Sequence, residues 1–304
     1  MGKTLVTGGA GFIGSNLVNR LILDGHEVTV IDNESSLVHE NFYWNPECRN
    51  VKVDIREFSQ IEKYFKDIDF VFHLAAQSRI QPSIHSPLET ISTNVMGTAN
   101  VLEAARIHNV KRVIYSTTSS YYGLKNPTPN IETQLEDCLN PYSLSKVTGD
   151  KLCKIYSELY KLETISLRYF CVYGKNEPLK GEFAPVIGLF LRQFKEGNPL
   201  TIIGEGQQIR DFTHIEDVVE ANILTMESLR EGTGEVYNVG SGKSLSILEI
   251  AKSISENIVF LPPRPAEAKA SMADTAKIKS HYGWSPKMSL IDYIQEELSK
   301  ISAT

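Results

Sequence analysis

Tyr142 and Lys146 stand four residues apart in Asn140-Pro-Tyr-Ser-Leu-Ser-Lys146. In a helix that spacing puts both side chains on one face. A phenol beside a fixed ammonium is equipped for acid-base chemistry. A free phenol, with a pKa near about 10, takes no proton at neutral pH. Nearby positive charge favours the phenolate and brings it towards the working range. Tyr142 is therefore the candidate base and Lys146 its electrostatic support. Asn140 suits the helix cap and Pro141 the first turn. A second concentration of hydroxyls, Tyr115-Ser-Thr-Thr-Ser-Ser-Tyr-Tyr-Gly123, follows an apolar run. Within it Ser116 and Thr117 can satisfy strand-end backbone groups, and Tyr122 can pack ahead of the turn glycine.

A third group of residues supplies phosphate chemistry. The apolar residues up to Thr7 run into Gly8-Gly-Ala-Gly11-Phe12-Ile13-Gly14, and a helical stretch follows. Glycine at such a turn lets backbone N–H groups approach a pyrophosphate, and the helix N-terminus adds partial positive charge. A second apolar stretch ends in Asp32, with Asn33 beside it. Asp32 at that place accepts hydrogen bonds from an adenosine ribose and repels a 2′-phosphate, which predicts NAD rather than NADP.

The elements that must position these groups alternate up to about residue 170. Short apolar stretches at 4–7, 27–31, 51–53, 70–73, 113–116 and 164–169 read as strands. A helical period starts at Asn94 and runs to Arg106, with Val95, Ala99, Leu102 and Ala105 on one face. Alternation of this kind predicts an α/β fold, a doubly wound parallel sheet of Rossmann type covered on both sides. Ligands bind beyond the carboxyl ends of such strands, where the hydroxyl-rich stretch falls. After Gly174 the prolines at 178, 185, 199, 262, 263 and 265 punctuate shorter elements. The expectation is an NAD-binding domain over 1–172 and a smaller mixed α/β substrate lobe over 173–304, partly interwoven with the first.

Composition narrows the partners. The 304 residues carry a net charge of -6 with acids and bases interspersed, so there is no basic stripe for nucleic acid or an anionic membrane. Apolar runs fall short of the roughly 20 residues that cross a bilayer. Cys48, Cys138, Cys153 and Cys171 form no CxxC pair and have no His at ligand spacing, so free thiols, no metal site and a cytoplasmic setting are expected.

The spacing Gly8-x-x-Gly11-x-x-Gly14 resembles the extended short-chain dehydrogenase/reductase superfamily, within it the NAD-dependent epimerase/dehydratase family, and the matches continue along nearly the whole chain. Val53-Asp54-Ile55-Arg56 resembles the segment holding that family's adenine-contacting Asp. His73-Leu74-Ala75-Ala76-Gln77 resembles the turn lying along the cofactor, and Asn94 matches its helix-start Asn; by the residues alone Asp54 reads equally as a surface acid and Asn94 as an N-cap. The resemblance adds Ser116 and Phe170 to the cofactor contacts. It also makes Thr118, five residues before Gly123, the third catalytic group with Tyr142 and Lys146. Related 4,6-dehydratases carry Asp and Glu immediately after that residue; Ser119 and Ser120 stand there in this chain, which resembles the epimerase form.

The second half resembles the substrate lobe of nucleotide-sugar epimerases. Leu167-Arg-Tyr-Phe-Cys171 has Cys171 where the family has a substrate-binding Asn. Gly204-Glu-Gly-Gln-Gln-Ile-Arg210-Asp-Phe212 matches a diphosphate-binding segment with Arg210 as the clamp, and the alternative is an Arg210–Asp211 surface pair. Arg264-Pro-Ala-Glu267 resembles a phosphate- and ribose-reaching pattern, with Glu267 for the usual Asp. Ser271 falls where a small residue leaves room for an acetamido group. Arg79, Gln81 and Ser83 are expected to border the sugar. The resemblance thus implies an NAD-dependent UDP-sugar 4-epimerase, acting on N-acetylhexosamine and hexose forms, and a homodimer through the helices beginning near Asn94 and Tyr142. The alternatives are a UDP-glucuronate 4-epimerase, another dehydratase or decarboxylase of the superfamily, and a non-catalytic NAD-binding sensor.

Overall fold

The computed structural model describes residues 2–36, 38–179 and 183–302. In chain order the strands are β1 (Lys3–Thr7), β2 (Glu27–Asp32), β3 (Arg49–Lys52), β4 (Phe70–His73), β5 (Arg112–Thr118) and β6 (Glu163–Tyr169). They continue as β7 (Cys171–Tyr173), β8 (Leu200–Ile203), β9 (Ile209–His214), β10 (Thr233–Val239), β11 (Ser244–Ser246) and β12 (Ile258–Leu261). Seven of them make one sheet in the order β10-β6-β5-β4-β1-β2-β3, parallel at every pairing. Their apolar runs explain this. β1, β2, β5 and β6 are buried along nearly their whole length, as strands covered on both faces must be. The edge strand β3 carries Arg49, Asn50 and Lys52 and is largely exposed, which protects an open edge from pairing.

One face packs Val6, Val30 and Phe72 against the helices Phe12–Leu23 and Ile215–Glu227. The other packs Leu5, Ile31 and Val113 against Gly97–Ile107 and Pro141–Tyr160. The order of the sheet reverses between β1 and β4, which opens a crevice at their carboxyl ends. A second core, apart from the large sheet and around Phe190, Ile202, Phe212, Ile250 and Ile294, holds the three-stranded sheet β11-β9-β7 and the pair β12-β8. Between the strands of this second core, the helix Ile215–Glu227 and β10 return to the large sheet.

The six strands expected from sequence are present within one or two residues of their expected ends. The helix expected to start at Asn94 is different. Its run begins with Pro87–Ile91, passes through a π turn at Ser92–Met96 and continues as Gly97–Ile107. Asn94 therefore lies inside the turn and is no cap. The extra backbone residue shifts the buried stripe to Thr98, Val101, Leu102 and Ala105, leaving Val95 and Ala99 half-buried.

The contact that sets β5 against the helix Pro141–Tyr160 is made at Gly149. A Cβ there would lie 2.2 Å from Tyr115 Oη and 2.4 Å from its Cζ. A methyl must push apart the two elements that carry Thr118 and Tyr142. Gly149→Ala is expected to lower the unfolding free energy by about 1–3 kcal/mol, measured by urea denaturation; unchanged stability would show that this close approach is not required.

Candidate active site

A cavity of about 720 Å³ runs along the carboxyl ends of the large sheet's strands and on to the second core. Its floor at one end is the glycine turn. Gly8 has φ +71°, and a Cβ on it would lie 2.7 Å from Ala75 N; one on Gly14 would meet Gly8 O at 2.1 Å. Those two glycines are required by packing. Gly11 is different, because a Cβ there would meet nothing closer than Gly8 O at 3.4 Å and the His39 ring at 3.7 Å. Gly11 lines the cavity with Phe12, Ile13 and Gly14, so its missing side chain leaves space on the ligand side. No side chain caps the first turn of the helix Phe12–Leu23, and its amides are available to an anion. This cradle fits a dinucleotide.

Asp32 closes β2 beside the turn. Its Oδ2 accepts from Ala10 N at 3.1 Å and its Oδ1 from Glu34 N at 2.8 Å. Burial raises its pKa, and those backbone donors oppose the rise. Asn33, Ile55, Leu74, Ala75, Ala76, Ser116 and Phe170 also line the cavity. Asp54, Gln77 and Asn94 do not. Asp54 stands one layer back, where its carboxylate accepts from Arg56 Nη2 at 2.7 Å and Asn33 Nδ2 at 2.8 Å. Burial alone would raise Asp54, but these bonds hold it below the usual carboxylate range. Asn94 braces Gln77 from both sides, accepting from Gln77 N at 2.7 Å and donating to Gln77 O at 3.0 Å; it also donates to Ser145 Oγ at 2.8 Å.

Thr118, Tyr142 and Lys146 all line the cavity. The helix carrying the last two starts in a capping box between Asn140 and Ser143, with Pro141 at its first position, as the sequence predicts. The backbone N–H of Tyr142 donates to Ser83 Oγ at 3.1 Å. Ser83 also donates to Ile80 O at 2.6 Å and is wholly buried. Its hydroxyl is spent behind the wall rather than on the cavity side. Gln81 lines the cavity and donates to Pro265 O at 3.1 Å. Tyr122 is stacked on Phe170 and donates to Asn238 Oδ1 at 2.6 Å, so it packs, with its hydroxyl satisfied.

The electrostatics depart from the sequence expectation. Burial raises the Tyr142 phenol above its ordinary value, and the groups opposing it are a hydrogen bond with Thr118 and the charge of Arg79. The Lys146 ammonium lies 4.2 Å from the centroid of the Tyr115 ring. Burial brings it down to about 8, against the pull of Asp150 one turn on. Asp150 in turn faces Arg168, with Nη2 to Oδ2 at 3.4 Å.

At the far end Arg79, Cys171, Arg210, Arg264 and Glu267 line the wall. Arg210 lies 3.9 Å from Glu267 and donates to Ile209 O at 3.0 Å. The alternative of an Arg210–Asp211 pair is not what forms, because Asp211 accepts from Ser241, Gly242 and Ala273 instead. Ser271 is buried outside the lining, and its hydroxyl has no partner among the described residues. Sequence reasoning missed His39 and Glu177, which also line the cavity. Both sit in irregular segments without periodicity, and no motif marks them.

Comparison with known proteins agrees with this architecture. Residues 4–240 match the model of the NAD dependent epimerase/dehydratase family. A putative UDP-glucose 4-epimerase of Methanocaldococcus jannaschii is 35% identical over 299 residues, covering 96% of this chain and 95% of that protein. The solved UDP-glucose 4-epimerase of Thermotoga maritima, with UDP-glucose, is 31% identical with a TM-score of 0.92, and 99% of each chain is covered. The UDP-N-acetylglucosamine 4-epimerase of Methanobrevibacter ruminantium, in complex with UDP-N-acetylmuramic acid, is 32% identical with a TM-score of 0.90, covering 100% of this chain and 99% of that one. With a glycine cradle that fits a dinucleotide, a parallel sheet that ends on it and a match over most of its length, this chain belongs to the NAD-dependent epimerase/dehydratase family.

Proposed function

We propose that the protein is a 4-epimerase of UDP-sugars, interconverting UDP-GlcNAc with UDP-GalNAc and UDP-Glc with UDP-Gal. The observation that carries the reading is that Thr118, Tyr142 and Lys146 line one cavity with the glycine turn, with Ser119 and Ser120 in the two places where elimination would need carboxylates. Tyr142 takes the proton of the sugar 4-hydroxyl, with the Thr118 hydroxyl passing it along as both donor and acceptor. NAD would be held by the Gly8–Gly14 turn and Asp32 and would supply a reversible hydride acceptor for C4. Tyr142 holds the proton in the interval and gives it back to the inverted oxygen. Arg210 suits the diphosphate because, among the described residues, its forked guanidinium is held by a backbone carbonyl and a distant carboxylate. Arg264 and Glu267 stand on the same wall.

The relatives named for UDP-glucose and UDP-N-acetylglucosamine support the substrate class. Small Ser271 supports the N-acetylated sugars through the family resemblance alone, since its side chain is buried outside the cavity lining. The helices Pro87–Ile91 and Pro141–Tyr160 leave Leu88 and Leu159 largely exposed, at 84% and 68%, with Leu144 and Ile155 also open. These stripes fit the same faces of a second copy, so the protein is a homodimer.

Three outcomes test this. Tyr142→Phe is expected to lower kcat for UDP-sugar inversion by about 10²-fold or more while NAD is retained. An unchanged rate, or release of water or carbon dioxide by the parent protein in product assays with UDP-Glc, UDP-GlcNAc and UDP-glucuronate, would refute the assignment. Ser271→Tyr is expected to cut turnover of UDP-GlcNAc at least about tenfold while sparing UDP-Glc, read as the ratio of kcat/KM. Leu159→Glu is expected to shift the sedimentation coefficient from dimer to monomer, and a parent protein that sediments as a monomer would remove the dimer.

A further inference from the structure

The ammonium one turn along from Tyr142 is held by a ring rather than by an oxygen. Lys146 is 2% exposed, and among the described residues its Nζ makes no hydrogen bond; it lies 4.2 Å from the centroid of the Tyr115 ring. A cation taken out of water needs an electronegative surface in its place, and the face of an aromatic ring is one. Tyr115 is wholly buried and outside the cavity lining. Its hydroxyl donates to Lys146 O at 3.3 Å, so the backbone and the ammonium of Lys146 are both tied to one side chain. Gly149, three residues on, is what admits that side chain, because a Cβ there would lie 2.2 Å from Tyr115 Oη. On the neighbouring strand β4, His73 is the register partner of Tyr115, and its ring lies 5.5 Å from it with 30° between the planes.

We propose that Tyr115 is a positioning residue for the reaction: its ring seats the Lys146 ammonium and so keeps a positive charge one helical turn from Tyr142. Tyr115 acts through Lys146 and has no contact with the cavity of its own. The inference rests on the epimerase reading only in taking Tyr142 as the base that this charge supports.

The titratable groups around the ammonium are His73 of β4, Tyr115 of β5, and Tyr142, Asp150 and Cys153 of Lys146's own helix, with Arg168 of β6 behind Asp150. His73 is bonded as a neutral imidazole. Thr98 gives its own proton to Asn94 O at 2.6 Å and so accepts from Nε2 at 2.9 Å, which leaves Nδ1 to accept from Thr7 Oγ1 at 2.7 Å. Burial, and then the charge of Lys146, hold that ring neutral. Burial also keeps Cys153 and the Tyr115 hydroxyl protonated. Asp150 attracts the ammonium from one turn on, but its Oδ2 faces Arg168 at 3.4 Å. The group in contact with the charge is the ring.

The test alters the face of the ring and leaves its shape. Tyr115→Phe keeps the ring and removes the hydroxyl; a trifluorinated phenylalanine at the same position keeps that outline and drains negative charge from the face. In the NAD-loaded protein the Lys146 ammonium is titrated by NMR of isotope-labelled lysine, its signal identified by its loss in Lys146→Met, and the pH profile of kcat is recorded alongside. Burial has already brought this group down to about 8, and weakening the attraction disfavours the charged form further. The fluorinated protein is therefore expected to lose the ammonium, and with it the alkaline limb of kcat, about one pH unit lower than Tyr115→Phe, which near pH 8 is about a fivefold loss of kcat. Tyr115→Phe is expected to retain most of the parent's profile. Should Tyr115→Phe fail to fold, ring-fluorinated tyrosine at that position, compared with the parent, carries the same comparison. Coincident lysine titrations with and without fluorine, or an effect confined to KM, would show that the ring face does not hold the charge and would overturn the proposal. Failure of the epimerase reading looks different: the parent inverts no UDP-sugar, yet its lysine titration still answers to the fluorinated ring.

Discussion

Everything in this site follows from the burial of one phenol. Tyr142 must be shielded from bulk water for a proton to pass selectively between it and a bound sugar, yet shielding drives its pKa away from neutrality. The fold answers by arranging cations and hydroxyls around the helix that bears it. Lys146 and Asp150 follow at intervals of four on the same face, and Arg168 of β6 stands behind Asp150. Asp150 supports the charge of Lys146 against a burial that would otherwise remove more of it. Lys146 is seated over the Tyr115 ring at 4.2 Å, one turn along the helix from Tyr142.

Such an arrangement works only if the start of that helix cannot drift. It is held from three directions. Ser83 accepts from the Tyr142 amide, Asn94 donates to Ser145, and Asn140 donates to Ala266 O at 3.2 Å. The first two tie the helix to the segment after β4, which flanks the dinucleotide cradle. The third ties it to the loop bearing Arg264 and Glu267. The glycine-turn side of the cavity, Tyr142 and the wall bearing Arg264 and Glu267 are therefore referred to one helix terminus.

The large sheet was legible in the sequence because a parallel strand buried on both faces must be written as an unbroken apolar run, and β1, β2 and β4 to β6 are. The glycine turn was legible for a similar reason, since the close approach of Gly8 to Ala75 and of Gly14 to Gly8 admits no Cβ. Less was visible where a residue's partner is remote. The hydrogen bonds of Ser83 to a residue 59 positions away and of Asn94 to one 51 positions away leave no periodic trace. The π turn at Ser92–Met96 is likewise silent, because one extra backbone residue changes no local composition. Glu177 was hard to read for the opposite reason: charged residues in loops ordinarily face water, and only the tertiary fold encloses this one.

The adjacency of Arg210 and Asp211 shows how one wall of the cavity is built from a single strand. Adjacent residues of β9 point to opposite faces. Arg210 goes to the cavity. Asp211 goes inward, with no exposure, and there accepts from the Ser241 amide and hydroxyl at 2.7 Å each and from the amides of Gly242 and Ala273 at 2.9 Å. Burial raises its pKa, and those four donors oppose the rise by favouring the charged form. The chain on either side of Arg264 and Glu267 is thereby clamped to the strand that presents Arg210. A buried carboxylate outside the cavity lining thus sets the spacing of Arg210, Arg264 and Glu267 on the cavity wall. Replacing it would separate those groups before it touched any of them.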